Sequence, residues 1–146
     1  MSAHASDQAR NGSTATRTAV IWGLVVGALQ VATPLALWWL DPPIVFALEL
    51  AVIAAVYIGF AVADGRVRVI AVESTVAMAF VILAAAAITG SGWLLVVGYA
   101  GHGLKDAWQQ RRRFVSGTRW WPPFCAAVDA VVALAIAIEI ASGVVR

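Results

Sequence analysis

Residues 42–89 read PPIVFALELAVIAAVYIGFAVADGRVRVIAVESTVAMAFVILAAAAIT. Two apolar runs flank the short polar break Asp64-Gly65. A run of about 20 apolar residues, rising ~1.5 Å each, covers a hydrocarbon core ~30 Å thick. Backbone in lipid must satisfy its own hydrogen bonds, so both runs are predicted as helices. Asp-Gly supplies the tight turn between them. The stretch therefore predicts a helical hairpin that crosses a bilayer and returns.

The rest of the chain extends this pattern. Asp41 precedes Pro42 and Pro43 and is placed to cap the first helix, whose first turn tolerates proline. Upstream, Thr18 to Leu40 is a further apolar run. It is too long for a signal-peptide core and lacks a small-x-small cleavage site, so it reads as a retained first span, bent at Pro34. Residues 1–17 are small, polar and Ser/Thr-rich, the composition of a disordered cytoplasmic tail. Downstream, Gly90-Ser91-Gly92 ends the hairpin, and a fourth, shorter span covers 92–108. A basic loop leads through Pro122-Pro123 into a fifth span over 122–145. The expected fold is all-α: a polytopic bundle of five transmembrane helices over 18–40, 42–63, 67–89, 92–108 and 122–145. Composition agrees. The 146 residues are 62% hydrophobic and 12% charged, whereas a soluble domain carries about 25% charged residues. One cysteine excludes an intrachain disulfide and a multi-cysteine metal site. No P-loop, nucleophile elbow, dinucleotide fingerprint or internal repeat is present, so nucleotide-driven transport has no support.

Charge placement predicts the orientation. With the N-terminus inside, Arg10, Arg17, Arg66, Arg68, Lys105, Arg111, Arg112, Arg113 and Arg119 share the cytoplasmic side, and only Arg146 lies outside. The positive-inside rule therefore gives N-in, C-out, in the cell's inner (plasma) membrane. Tryptophan fits the same map. Trp22, Trp108, Trp120 and Trp121 fall at the inner boundary, and Trp38, Trp39 and Trp93 at the outer one, the headgroup level that indole rings prefer.

Ionisable residues inside the spans are the informative ones, because each charged centre costs about 2.5–3.5 kcal/mol on insertion scales. Glu73 lies about 9 Å below the inner end of its span at ~1.5 Å per residue, and Asp129 lies at a similar depth in span five. His102 and Asp106 approach that level from the other direction, on one face of their helix at i,i+4. Cys125 and Asp129 form a second i,i+4 pair. His102, Asp106, Asp129 and Glu73 are thus the candidate catalytic cluster, and Glu49 with Glu139 forms a second, outer acidic site. Such an inner cluster could transfer protons or bind a divalent metal through nitrogen and oxygen. Equally, Glu73 or Asp129 could pair with Arg66, Arg68, Lys105 or Arg119 and simply hold helices together. Cofactors are expected to be none. Cys125 alone reads as a small buried hydrophobe. Glu49, with no cation in its own helix, is expected to be protonated, paired with Glu139, or bonded to Gln30 or Thr33. Gly23-x-x-x-Gly27 permits close helix approach, including that of a second copy in a homo-oligomer. The Arg111–Arg113 triplet is expected to set topology and meet anionic lipid headgroups; membrane lipids are the expected partners and nucleic acid is not.

The segment Gly98-Tyr-Ala-Gly-His102-Gly-Leu-Lys-Asp106-Ala-Trp108, followed by Trp121-Pro-Pro-Phe-Cys125-Ala-Ala-Val-Asp129, resembles small bacterial integral membrane proteins of domain-of-unknown-function type. Their pattern is Gly-x-x-His-x-x-x-Asp, a proline-containing loop, then Cys-x-x-x-Asp. The resemblance covers about a quarter of the chain and singles out His102, Asp106, Cys125 and Asp129 as a set. Further histidines follow the Asp in those proteins; Gln109 and Gln110 stand there in this chain, which counts against a metal. Two functions are expected: a non-enzymatic membrane protein engaged in proton-linked binding or serving as an accessory subunit, or an intramembrane acid–base enzyme of isomerase or cyclase type acting on a lipid or isoprenoid. A pore or transporter would need oligomerisation.

Overall fold

The computed structural model describes the backbone of residues 2–143 and the side chains of residues 12–143. Six helices follow one another: α1 (Ser2–Val31), α2 (Thr33–Ala36), α3 (Pro42–Asp64), α4 (Val67–Thr89), α5 (Trp93–Arg112) and α6 (Trp121–Ala141). Among the described residues there is no strand. Among the described residues, four segments are long and apolar enough to cross a membrane: Gly12–Ala36, Pro42–Asp64, Val67–Thr89 and Trp121–Ala141. The chain is an all-α bundle with the dimensions and composition of a multi-pass membrane protein.

The helix ends follow local chemistry. Pro42 opens α3, where the missing N–H costs nothing. Asp41 caps α3 through its backbone carbonyl, which accepts from Ile44 N at 2.9 Å and Val45 N at 3.3 Å; its side chain makes no cap bond. Gly65 closes α3 in the left-handed region, at φ 79°, and its N–H reaches Ala61 O at 3.1 Å. Only glycine adopts that conformation without strain. The first span breaks at Ala32, and α2 restarts with Pro34 in its first turn. Upstream, α1 is helical where a disordered tail is expected over 1–17. Thr16 Oγ1 donates to Gly12 O at 3.1 Å and Thr18 Oγ1 to Thr14 O at 3.0 Å. These are side-chain bonds back onto the helix's own carbonyls, and each residue added to a nucleated helix gains one backbone bond. Met1, the side chains of residues 2–11, and residues 144–146, including Arg146 and the expected end of span five, lie outside the described residues.

Helix order in space differs from order in sequence. α6 lies between α1 and α5; α5 also touches α4 and α3; α3 pairs with α4. Among the described residues α1 rests chiefly on α6. Gly23 and Gly27 make that seam: a Cβ on Gly23 would lie 2.7 Å from Ala127 Cβ, and one on Gly27 3.0 Å from Val131 Cβ. The small-residue motif is therefore used within the chain.

Two apolar cores lie along the bundle. One gathers Phe46, Leu50, Leu95, Tyr99, Val128, Val132 and Ile136 with the alanines of α4. The other gathers Tyr57, Ala61, Val69 and Val115. Residue order along α3 and α5 puts the buried polar residues Glu73, His102, Asp106 and Asp129 at the junction between these cores.

Candidate functional site

α5 decides the site because its polarity is inside out. Gly98, Tyr99, His102, Asp106 and Gln109 are buried, while Trp93, Val97, Leu104 and Trp108 are exposed. Polar residues recur at i, i+4 and i+7 from His102, one helical face. That face turns toward α3, α4 and α6.

Gly103 lets α6 come close enough to engage it. A Cβ there would stand 3.3 Å from Asp129 Cβ, tighter than ordinary contact, and 3.7 Å from Ala126 O. With glycine in place, His102 Nδ1 lies 2.9 Å from Asp129 Oδ2 and 3.4 Å from Asp106 Oδ2. All three residues are 0% exposed. Around the imidazole, the Phe80 ring stands edge-on at 5.0 Å and the Tyr57 ring at 5.9 Å between centroids. His102 Nε2, both Asp106 oxygens, Asp129 Oδ1 and Tyr57 OH are buried without a hydrogen-bond partner among the described residues. Unsatisfied groups of this kind are rare in folded proteins and concentrate at working sites. One nitrogen and two carboxylate oxygens within 4.8 Å of one another could hold a small divalent cation; they equally form a closed set for passing protons.

Glu73 joins a neighbouring group. Lys105 Nζ lies 2.7 Å from Glu73 Oε2 and 3.3 Å from the centre of the Tyr57 ring. Gln109 Nε2 donates to Glu73 Oε1 at 2.5 Å, and Gln109 Oε1 accepts from Val115 N at 3.4 Å. Glu73 is thus the acid partner of a buried ion pair. Tyr57 stands between the two groups, presenting one ring to Lys105 and to His102. Cys125 is buried and free.

Both outer acids lie near the end of α1 and α2. Glu49 neighbours Thr33, Gln30 and Tyr99; its Oε2 is buried without a hydrogen-bond partner among the described residues. Tyr99 OH donates to Phe46 O at 2.9 Å and accepts from Gln30 Nε2 at 3.4 Å. Glu139 lines an apolar cavity of about 390 Å³ with Val31, Leu35, Pro42 and Phe46, and Glu49 is not part of its wall.

Sequence reasoning missed Tyr57, Phe80 and Gln109. Tyr57 carries a signal, a hydroxyl inside an otherwise apolar run, and Gln109 another, its i+7 spacing from His102. It also missed a clamp at the other side of α3. Asp64 Oδ1 accepts from Arg66 Nε at 2.6 Å, and Asp64 Oδ2 accepts from Ser116 N at 2.8 Å and Ser116 Oγ at 2.5 Å. The Arg66 guanidinium continues to Phe114 O at 2.6 Å. The α3–α4 turn is thereby tied to the α5–α6 loop.

No protein-family model, curated protein or solved structure matches the chain.

Proposed function

We propose that the chain is a five-span protein of the plasma membrane, N-terminus inside and C-terminus outside, whose His102–Asp106–Asp129 cluster exchanges protons as part of proton-linked binding or of service as an accessory subunit. Beside the four helices above, α5 is the remaining span. Its average composition is too polar for a lipid-facing helix, but His102, Asp106 and Gln109 are buried and the exposed stripe from Trp93 to Trp108 is apolar, the arrangement a central span requires. Orientation rests on the basic turn after α3 and the basic loop after α5.

The observation that carries the functional reading is the imidazole lodged between two carboxylates with no exposure to solvent. Two carboxylates and an imidazole closed off from water favour a low net charge, so protons are held and redistributed among His102 Nδ1 and the Asp oxygens. The enzymatic alternative, acid–base chemistry on a lipid or isoprenoid, needs access to the imidazole. Neither the cavity beside Glu139 nor the cleft at the α5–α6 loop is lined by His102, Asp106 or Asp129.

Infrared difference spectroscopy on the protein in nanodiscs tests the proposal. A pH step is expected to produce a carboxylic C=O band that loses intensity in Asp129→Asn and in Asp106→Asn, with an imidazole band that disappears in His102→Gln. A spectrum that is the same in wild type and in all three variants, each folded, would remove the cluster from proton exchange.

A further inference from the structure

An open cleft of about 840 Å³ lies where α5 gives way to α6, between the α5–α6 loop and the α1 residues Gly12 and Thr16. Arg113, Arg119, Gln109 and Gln110 line it, and no Asp or Glu among the described residues does. Arg113 and Arg119 are exposed, and neither forms an ion pair with a carboxylate among the described residues. The nearby acid, Asp64, is taken up by Arg66 and Ser116. Among the described residues, the cleft thus holds two positive charges without a compensating carboxylate on its wall.

Arg113 adds a second, independent observation. It caps α5 in the left-handed region, at φ 49° and ψ 43°, and is the one non-glycine residue with positive φ among the described residues. The other positive-φ positions there are Gly65, Gly117 and Gly143. Glycine would close the helix with less strain. At this position a guanidinium is present instead, on the wall of the cleft.

We infer that this cleft binds a phosphate ester, with Arg113 and Arg119 as its guanidinium clamp and Gln110 as an added donor. Guanidinium presents paired N–H donors that match phosphate oxygens, which an ammonium does not. Trp108, Trp120 and Trp121 flank the same end of the bundle, and indole rings gather at the headgroup level. The phosphate of an anionic phospholipid is therefore in reach, as is that of a soluble ester. The inference is independent of proton exchange at His102.

Native mass spectrometry of the detergent-solubilised full chain supplies the test, with phosphatidylglycerol, phosphatidylcholine and glycerol phosphate as probes. Wild type is expected to retain phosphatidylglycerol in preference to phosphatidylcholine. Arg113→Gln and Arg119→Gln should each weaken retention about tenfold, as loss of one charge-assisted contact does. Arg113→Gly relaxes the backbone, so it folds and should show the same loss; Arg68→Gln, outside the cleft, should show none. Competition by glycerol phosphate would assign the site to a soluble ester, and retention without competition to a lipid. Equal retention by wild type and by the Arg113→Gly/Arg119→Gln double variant, or a loss in Arg68→Gln as large as in Arg113→Gly, would overturn the inference.

Discussion

Lys105 shows how one residue can bind two environments together. Its ammonium meets Glu73 at 2.7 Å and the Tyr57 ring at 3.3 Å. Removing one member of a buried ion pair leaves an uncompensated charge and costs about 3–5 kcal/mol. Lys105→Met is therefore expected to lower stability by about that amount in detergent unfolding. Lys105→Met with Glu73→Gln should recover much of the loss; a double variant as unstable as Lys105→Met would show that the two residues act separately. Asp64 makes a parallel case in the clamp. Asp64→Ala strands the Ser116 N–H and frees Arg66, a loss of about 1–3 kcal/mol. Hydrogen exchange at Ser116 should accelerate while exchange in the middle of α6 stays unchanged. The residue scale is also where the sequence was least legible. Depth along a span can be counted from helix rise, which brought Glu73, His102, Asp106 and Asp129 to one level. Azimuth around the helix cannot be counted, so Glu73 bonds Lys105 and Gln109 rather than the imidazole. The Asp64–Ser116 bond joins positions 52 apart, and no local pattern announces it.

At the scale of elements, the spans were legible because hydropathy and turn chemistry are local properties. α3 and α4 begin and end within a residue of the expected limits, at Pro42, Asp64, Val67 and Thr89. The neighbours of each helix were not legible, since an Ala- and Gly-rich surface packs on many partners. Close approach sets the geometry here. Lipid is as apolar as a side chain, so helices in a bilayer associate through van der Waals fit and small residues. Gly103 holds α5 and α6 at the separation that joins His102 to Asp129. Gly103→Leu is expected to cost about 1–3 kcal/mol by overpacking and to lengthen the His102–Asp129 contact, read as a shift in the imidazole NMR resonances. An unchanged imidazole spectrum in a folded Gly103→Leu protein would mean that α6 accommodates the side chain without moving. Gly23→Leu should loosen α1 from α6 and leave the imidazole resonances unchanged.

For the whole molecule, the distribution of arginine predicts which ends face the cytoplasm. In a Cys125→Ala background, a cysteine introduced by Ser91→Cys, between α4 and α5, should react with an impermeant maleimide on intact spheroplasts. One introduced by Arg112→Cys should react only after permeabilisation. The opposite labelling pattern would invert the topology and place the phosphate cleft outside. α1 stands apart in the same architecture, since among the described residues its seam is made chiefly with α6, with Gln30 reaching Tyr99 of α5. A helix attached mainly through one groove and one short connection is separable in principle. Supplied as a separate fragment, it has a complete docking surface waiting on the remainder of the chain. Two copies that traded first helices would rebuild the same glycine-lined groove between chains, giving an intertwined dimer without any new interface.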